Sequence, residues 1–231
     1  MNELNSGYTR SASQVIVRQN ALLRQVYAWM GIGLAITAFM ALATLSSPVA
    51  VNTIAGNRLV FYGLMIGELA LVFTLSGAIN RLSATTATLL FVAYSALNGV
   101  TLSILALIYT ANSIATTFVI TAGMFGAMSV YGYATRRDLT SWGSFLFMGL
   151  IGVVIASIVN IFVGSSAVSW VISAIGVLVF TGLTAYDTWK IKAMAAQGTE
   201  GRKPAILGAL TLYLDFINLF LMLLRFTGNR R

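Results

Sequence analysis

Seven long apolar runs divide this chain, and nearly all of its charged residues fall between them. The runs cover about 25–46, 59–79, 84–109, 113–133, 143–163, 167–189 and 205–227. A helix needs roughly 20 apolar residues to cross about 30 Å of hydrocarbon, and each run meets that length. They are too long for the strands of a membrane barrel and lack the alternation such strands require. No fixed-period repeat divides the chain into modules. The pattern predicts an all-α integral membrane protein, a seven-transmembrane-helix bundle forming a single domain over residues 25–229. A polar cytoplasmic segment, residues 1–24, precedes it, and a short basic tail, 230–231, follows. Connections are short, except the charged stretch from Lys190 to Pro204. The opening residues, MNELNSGYTRSASQVIVRQNALLRQ, contain no short apolar core with a cleavage site. No cleavable signal peptide is expected, and the first span directs insertion.

Charge in the loops sets the orientation, because Lys and Arg collect on the cytoplasmic side. With the N-terminus inside, the inner segments hold Arg10, Arg18, Arg24, Arg81, Arg136, Arg137, Lys190, Lys192, Arg202 and Lys203. The outer loops hold only Arg58. The expected placement is therefore multi-pass in a membrane, with a cytoplasmic N-terminus. The tail is an exception, since seven full spans put Arg230 and Arg231 outside. Two readings of the last segment stay open: it spans, or it re-enters and returns the tail to the cytoplasm.

Composition narrows the chemistry. Hydrophobic residues make up 58% and charged residues only 9%, far below the roughly 25% charged of a soluble domain. The 21 Gly against 2 Pro suit close helix packing in lipid. A net charge of +8 invites a nucleic-acid reading, but the basic residues stand singly or in pairs between apolar runs. That spacing fits loops at an anionic membrane surface, so the lipid bilayer is the expected partner and nucleic acid is not. Cysteine is absent, which removes disulfides, thiolate nucleophiles and Cys-based metal sites. Histidine is absent too, which removes Ser-His and Cys-His catalysis and His-ligated zinc.

Against that background the acidic residues stand out. There are six in all, and Asp187 and Asp215 lie inside the last two apolar runs. A carboxylate inside a spanning helix is costly and marks a functional site by default. Asp215, Asn218, Met222 and Arg225 follow steps of three, four and three, so they share one helix face. Asp215 falls about 15 Å into its helix if that helix starts near Ala205. The two helices run antiparallel, so the carboxyls can meet in the cytoplasmic half. If they meet, a low dielectric disfavours two charges and one proton is shared, which makes a pH-sensing pair. Ionised and hydrated, the pair is a hard-oxygen site suited to transient Ca²⁺. The plainer alternatives are an interfacial pairing of Asp187 with Lys190 and an interhelical hydrogen bond at Asp215.

Glu68 lies mid-span in the second run and either lines the same path or fixes helix packing. Asn218 is a second candidate for lining the path. Arg81 is the candidate latch onto the carboxylates, with a topology anchor that snorkels to the headgroups as its plainer reading. Asn98 and Asn160 read as packing residues, and Arg136-Arg137 as a topology signal.

The segments GLTAYDTWKIK and LGALTLYLDFINLFLMLLRFTGNRR, supported by FGAMSVYGYATRRDL, strongly resemble the Bax inhibitor-1 (transmembrane BAX inhibitor motif) family in its bacterial inner-membrane, YbhL-like branch. The resemblance runs from about Ala21 to Arg231. It implies a seven-helix bundle with the seventh helix central. It also implies a pH-sensitive calcium leak regulated by two aspartates, which map onto Asp187 and Asp215. A basic residue near the cytoplasmic end of the second helix hydrogen-bonds that pair in family members, and Arg81 is the nearest match. Cell-death suppression is not carried over.

The expected function is thus a pH-sensitive calcium leak channel gated by the aspartate pair. It is not an enzyme and has no cofactor, with the calcium ion as permeant or bound ion. Calcium or other cations, and other membrane proteins, are candidate partners. An intramembrane aspartyl protease of presenilin type also sets two aspartates in adjacent helices, but wants Gly-x-Gly-Asp where this chain has Leu-Tyr-Leu before Asp215. The remaining alternatives are an interaction protein regulating a membrane protease or translocase, and a cation/proton exchanger.

Overall fold

A computed structural model describes the backbone from Asn2 to Arg231 and the side chains from Ser13 onward. Among the described residues the chain is helical nearly throughout. The helices are α1 (Asn2–Leu45), α2 (Pro48–Gly56), α3 (Arg58–Ala78), α4 (Ala84–Leu102), α5 (Leu105–Ile108), α6 (Ala111–Ala134), α7 (Thr140–Val163), α8 (Ser166–Ala196) and α9 (Arg202–Thr227). Seven segments are long and apolar enough to cross a membrane, α4 and α5 acting together as Ala84–Ile108. The fold is an all-α membrane bundle, as the apolar pattern predicts.

Short polar signals cut the apolar runs into helices. Asn57 Oδ1 accepts from Leu59 N at 3.0 Å to start α3, and Ser83 Oγ accepts from Thr86 N at 3.0 Å to start α4. Thr110 Oγ1 does the same for α6, accepting from Ser113 N at 3.2 Å. Each satisfies an amide that has no partner within its own helix.

Three features depart from the expected boundaries. The connection between the first two spans contains a helix of its own, α2, opened by Ser47 and by Pro48 in the first turn. The polar N-terminal segment is continuous with the first span as α1. Lys190 and Lys192 belong to α8 and not to a loop, because the Ile-Lys-Ala-Met-Ala-Ala that follows Lys190 consists mostly of helix formers and the helix stops only at Ala196. The last segment is one unbroken helix of 26 residues, about 39 Å long, which favours a full span over re-entry. It is also the most buried of the seven: 72% of its apolar window is buried, against 39% for α8 and 6% for α3.

The chain packs as two compact units. The first contains the residues up to Leu105 and Ile191–Leu210. Within it α4 packs against both α1 and α3. Thr37 Oγ1 ties α1 to α4, lying 2.9 Å from its own-helix carbonyl at Gly33 and 2.9 Å from Ser95 O. At Gly99 the backbone of α4 approaches the Thr37 carbonyl so closely that no Cβ fits.

The second unit contains Ala106–Lys190 and Thr211–Arg231. Its core is Leu146 and Val153 from α7, Ile172, Val179, Phe180 and Leu183 from α8, and Leu219, Met222 and Leu223 from α9. The opposite side of α7 is apolar and exposed, with Phe145, Val154, Ile158 and Phe162 more than two-fifths accessible. An apolar face with no cover is the expected face toward lipid. Gly132 of α6 lies against the Ala185 carbonyl of α8 with no room for a side chain, which fixes the backbone just before Asp187.

Candidate functional site

The antiparallel packing of α8 on α9 that brings Leu183 and Leu219 into one cluster continues toward the C-terminal end of α8 and sets Asp187 opposite Asp215. The two carboxyls are within hydrogen-bonding reach of each other. Only 8% of Asp187 and 4% of Asp215 is exposed. Asp215 Oδ2 is buried without a hydrogen-bond partner. Phe216, beside it, packs edge-on against Phe118 and Phe125 of α6, with ring centroids 5.4 and 5.5 Å apart. These rings make the surroundings of the pair apolar on that side.

Lys190, one turn beyond Asp187, is near enough to attract its carboxylate, and its Nζ lies 5.8 Å from the centre of the Tyr186 ring. Lys190 and the partner carboxyl therefore both act on Asp187. Asp215 answers to Asp187 alone among charged groups.

The other candidates are placed separately. Asn218 is half-buried and turns its amide onto Leu214 O of its own helix at 2.8 Å. Glu68, in the first unit, has the Asn98 and Thr101 side chains of α4 beside its carboxyl. Its Oε1 is buried without a partner, and the Thr101 hydroxyl likewise makes no well-formed hydrogen bond. Arg81 is exposed in the turn after α3, and its side chain forms no ion pair among the described residues. The carbonyls on either side of it are taken by Lys203, whose Nζ donates to Leu82 O at 3.0 Å and Asn80 O at 3.3 Å. Sequence reasoning treated Lys203 only as a topology charge. A lysine two residues into a helix gives no sign that it will serve the end of another one.

Outside the spans, Asp138 Oδ1 accepts from the Thr140 hydroxyl at 2.6 Å and the Thr140 amide at 2.8 Å. Those two donors hold its carboxyl below the usual carboxylate range. As a cation site the aspartate pair is incomplete. Calcium takes six to eight oxygens, and no cluster of three or more acidic residues exists among the described residues.

A multi-pass membrane bundle with two carboxyls facing each other inside it defines the class: an integral membrane protein built around a buried acid pair. Residues 19–231 match the family described as "Inhibitor of apoptosis-promoting Bax1". The chain is 56% identical over 214 residues to the inner membrane protein YbhL of Escherichia coli K12, covering 90% of this chain and 92% of that one. It is 50% identical over 222 residues to a protein of Borreliella burgdorferi, covering 94% and 96%. It is 41% identical over 222 residues to a membrane protein of Streptococcus pyogenes serotype M6. The chain belongs to the Bax inhibitor-1 family and is a multi-pass inner-membrane protein.

Proposed function

We propose that this protein is a pH-sensitive cation leak, with calcium as the expected permeant and Asp187 and Asp215 as the gate. The observation that carries this reading is the buried pair itself. Two carboxyls at hydrogen-bonding reach in an apolar setting are compatible only when a proton lies between them. Removing that proton leaves two facing anions, one with an oxygen that no protein group satisfies. The pair then separates or recruits water and a cation. Either response moves α8 against α9, and closure returns with the proton. A pH change shifts the open fraction only through the difference in proton affinity between the two states.

In this reading the N-terminus is cytoplasmic, as the loop charges favour, and the protein performs no chemical step on its cargo. Arg81 is a topology anchor unless the open and closed states differ at the end of α3.

The test is Ca²⁺ flux into liposomes holding the purified chain, scanned from about pH 5 to 8. Flux that varies with pH in the wild type and is flat in Asp215→Asn supports the gate. An imposed proton gradient that drives calcium uphill would identify an exchanger. No flux above empty liposomes, with the fold intact, moves the assignment to a protein that acts by binding other membrane proteins.

A further inference from the structure

At the other end of the second unit, Asn160, Ser166, Ser169, Trp170, Arg225 and Arg230 line a cavity of about 350 Å³. That volume lies in the range of small-ligand sites. We propose that it binds a phosphate group, as carried by the headgroup of an anionic phospholipid or by a free phosphate.

Charge makes the case first. The second unit has three acidic side chains, Asp138, Asp187 and Asp215. Asp138 is engaged by Thr140, and the other two face each other. Asp215, the nearest of them along α9, is ten residues or about 15 Å from Arg225. Neither Arg225 nor Arg230 has an ion-pair partner among the described residues. Two guanidinium groups therefore border one cavity with no acidic side chain paired to either among the described residues. A phosphate accepts paired hydrogen bonds from such planar forks better than any neutral ligand does.

The surroundings are built, not loose. Asn160 Nδ2 donates to Ser169 Oγ at 2.7 Å and to Ser165 O at 3.2 Å, and its Oδ1 accepts from Ser165 N at 3.2 Å. That clamp fixes the first turn of α8, whose positive dipole end adds to the two arginines. The chain tail is fixed as well. Thr110 N donates to Asn229 O at 3.2 Å, Arg231 N to Ile108 O at 2.9 Å, and Asn229 N to Ser113 Oγ at 2.9 Å. Arg230 is thus held in register by the residues on either side of it. The Trp170 ring lies against Phe226, centroids 4.9 Å apart and tilted by 35°, which supports the aromatic side of the cavity with a pair of the kind found at headgroup depth. The basic tail that breaks the loop-charge pattern gains a reason: its Arg230 joins Arg225 of α9 at this cavity.

The probe is the full chain in mixed micelles of equal phosphatidylglycerol and phosphatidylcholine, with retained lipid counted by native mass spectrometry. Wild type should retain phosphatidylglycerol preferentially. Arg225→Gln with Arg230→Gln should lower that retention about tenfold, and Arg136→Gln with Arg137→Gln, an equal loss of charge elsewhere in the unit, should not. A second arm titrates inorganic phosphate against thermal unfolding in lipid-free detergent. Stabilisation there that the Arg225/Arg230 change removes, without selective lipid retention, identifies free phosphate as the source. Should the double variant misfold, Arg230→Gln alone carries the test with about a threefold loss. Equal retention in all variants with no phosphate effect overturns the site. So does an equal loss in the Arg136/Arg137 control.

Discussion

The buried acids of the two units differ in company. Asp187 and Asp215 face each other across α8 and α9, while Glu68 has only the amide of Asn98 and the hydroxyl of Thr101 beside it. Glu68 Oε1 is also without a partner, but an amide and a hydroxyl can both donate and accept, so these neighbours are able to serve either protonation state of a lone carboxyl. Two facing carboxyls offer acceptors only, and they fit together solely with a proton between them. In the proposed reading, a buried acid becomes a switch when its partner is another acid. Depth in the membrane alone does not make it one. On the proposed function, gating falls to the pair and packing to Glu68.

The largest effect is expected where the comparison is strongest. Asp187→Asn and Asp215→Asn each replace an acid by an amide of the same shape that donates without titrating. A single proton-linked step changes a population by at most about tenfold per pH unit. That dependence of calcium flux should vanish in either variant. If both variants keep the wild-type pH profile, the pair is not the gate.

Two glycines test whether the difference extends to the helices that carry the acids. A methyl at Gly132 would meet the Ala185 carbonyl of α8, and one at Gly99 the Thr37 carbonyl of α1. Each Gly→Ala change should cost about 1–3 kcal/mol, read as a lower thermal midpoint in detergent. Only Gly132→Ala, two residues from Asp187 through that contact, should also alter the pH profile of flux. A matching alteration in Gly99→Ala would mean that gating strain is spread through both units.

How much of this was legible in the sequence depends on what kind of signal each feature leaves. Seven spans were legible, because apolar length is a property of consecutive residues, and Asp187 and Asp215 stood out because charge inside such a run is rare. The boundaries were less so. α2 hides in the connection between the first two spans, and α8 continues through two lysines whose long stems suit a helix as well as a loop. The company of Glu68 was half seen: Asn98 was noted as packing, whereas Thr101 is an ordinary hydroxyl until α4 turns it toward α3. Arg225 read as part of the polar stripe of the last helix, and Arg230, with Arg231, as a residue on the wrong side of a charge rule. Only three-dimensional packing shows them beside Asn160 and Trp170 at one cavity.

Glu68→Gln asks the converse of the aspartate variants. It keeps the shape and the hydrogen-bonding reach of the side chain while removing its charge. Flux should keep its pH profile, and the thermal midpoint should move by no more than a substitution within about ±0.5 kcal/mol produces. A flattened profile here would put Glu68 in the gate and erase the distinction between the lone acid and the paired ones.

The smallest effect belongs to Asp138, an exposed acid that supplies the baseline for the other three. Its two bonds from Thr140 hold its carboxyl below the usual range. Its folded value is depressed, so the stability it contributes is present above the unfolded value of about 4 and is lost as pH falls through the folded one. Asp138→Asn should therefore lower the thermal midpoint slightly at pH 7 and leave it near wild type at about pH 3. Asparagine still accepts from the Thr140 amide, which keeps the loss small. Because this titration lies wholly at the acid end, flux between about pH 5 and 8 should be untouched. If Asp138→Asn shifts that profile, a surface loop reaches the gate, and the neutral-pH response no longer belongs to the buried pair alone.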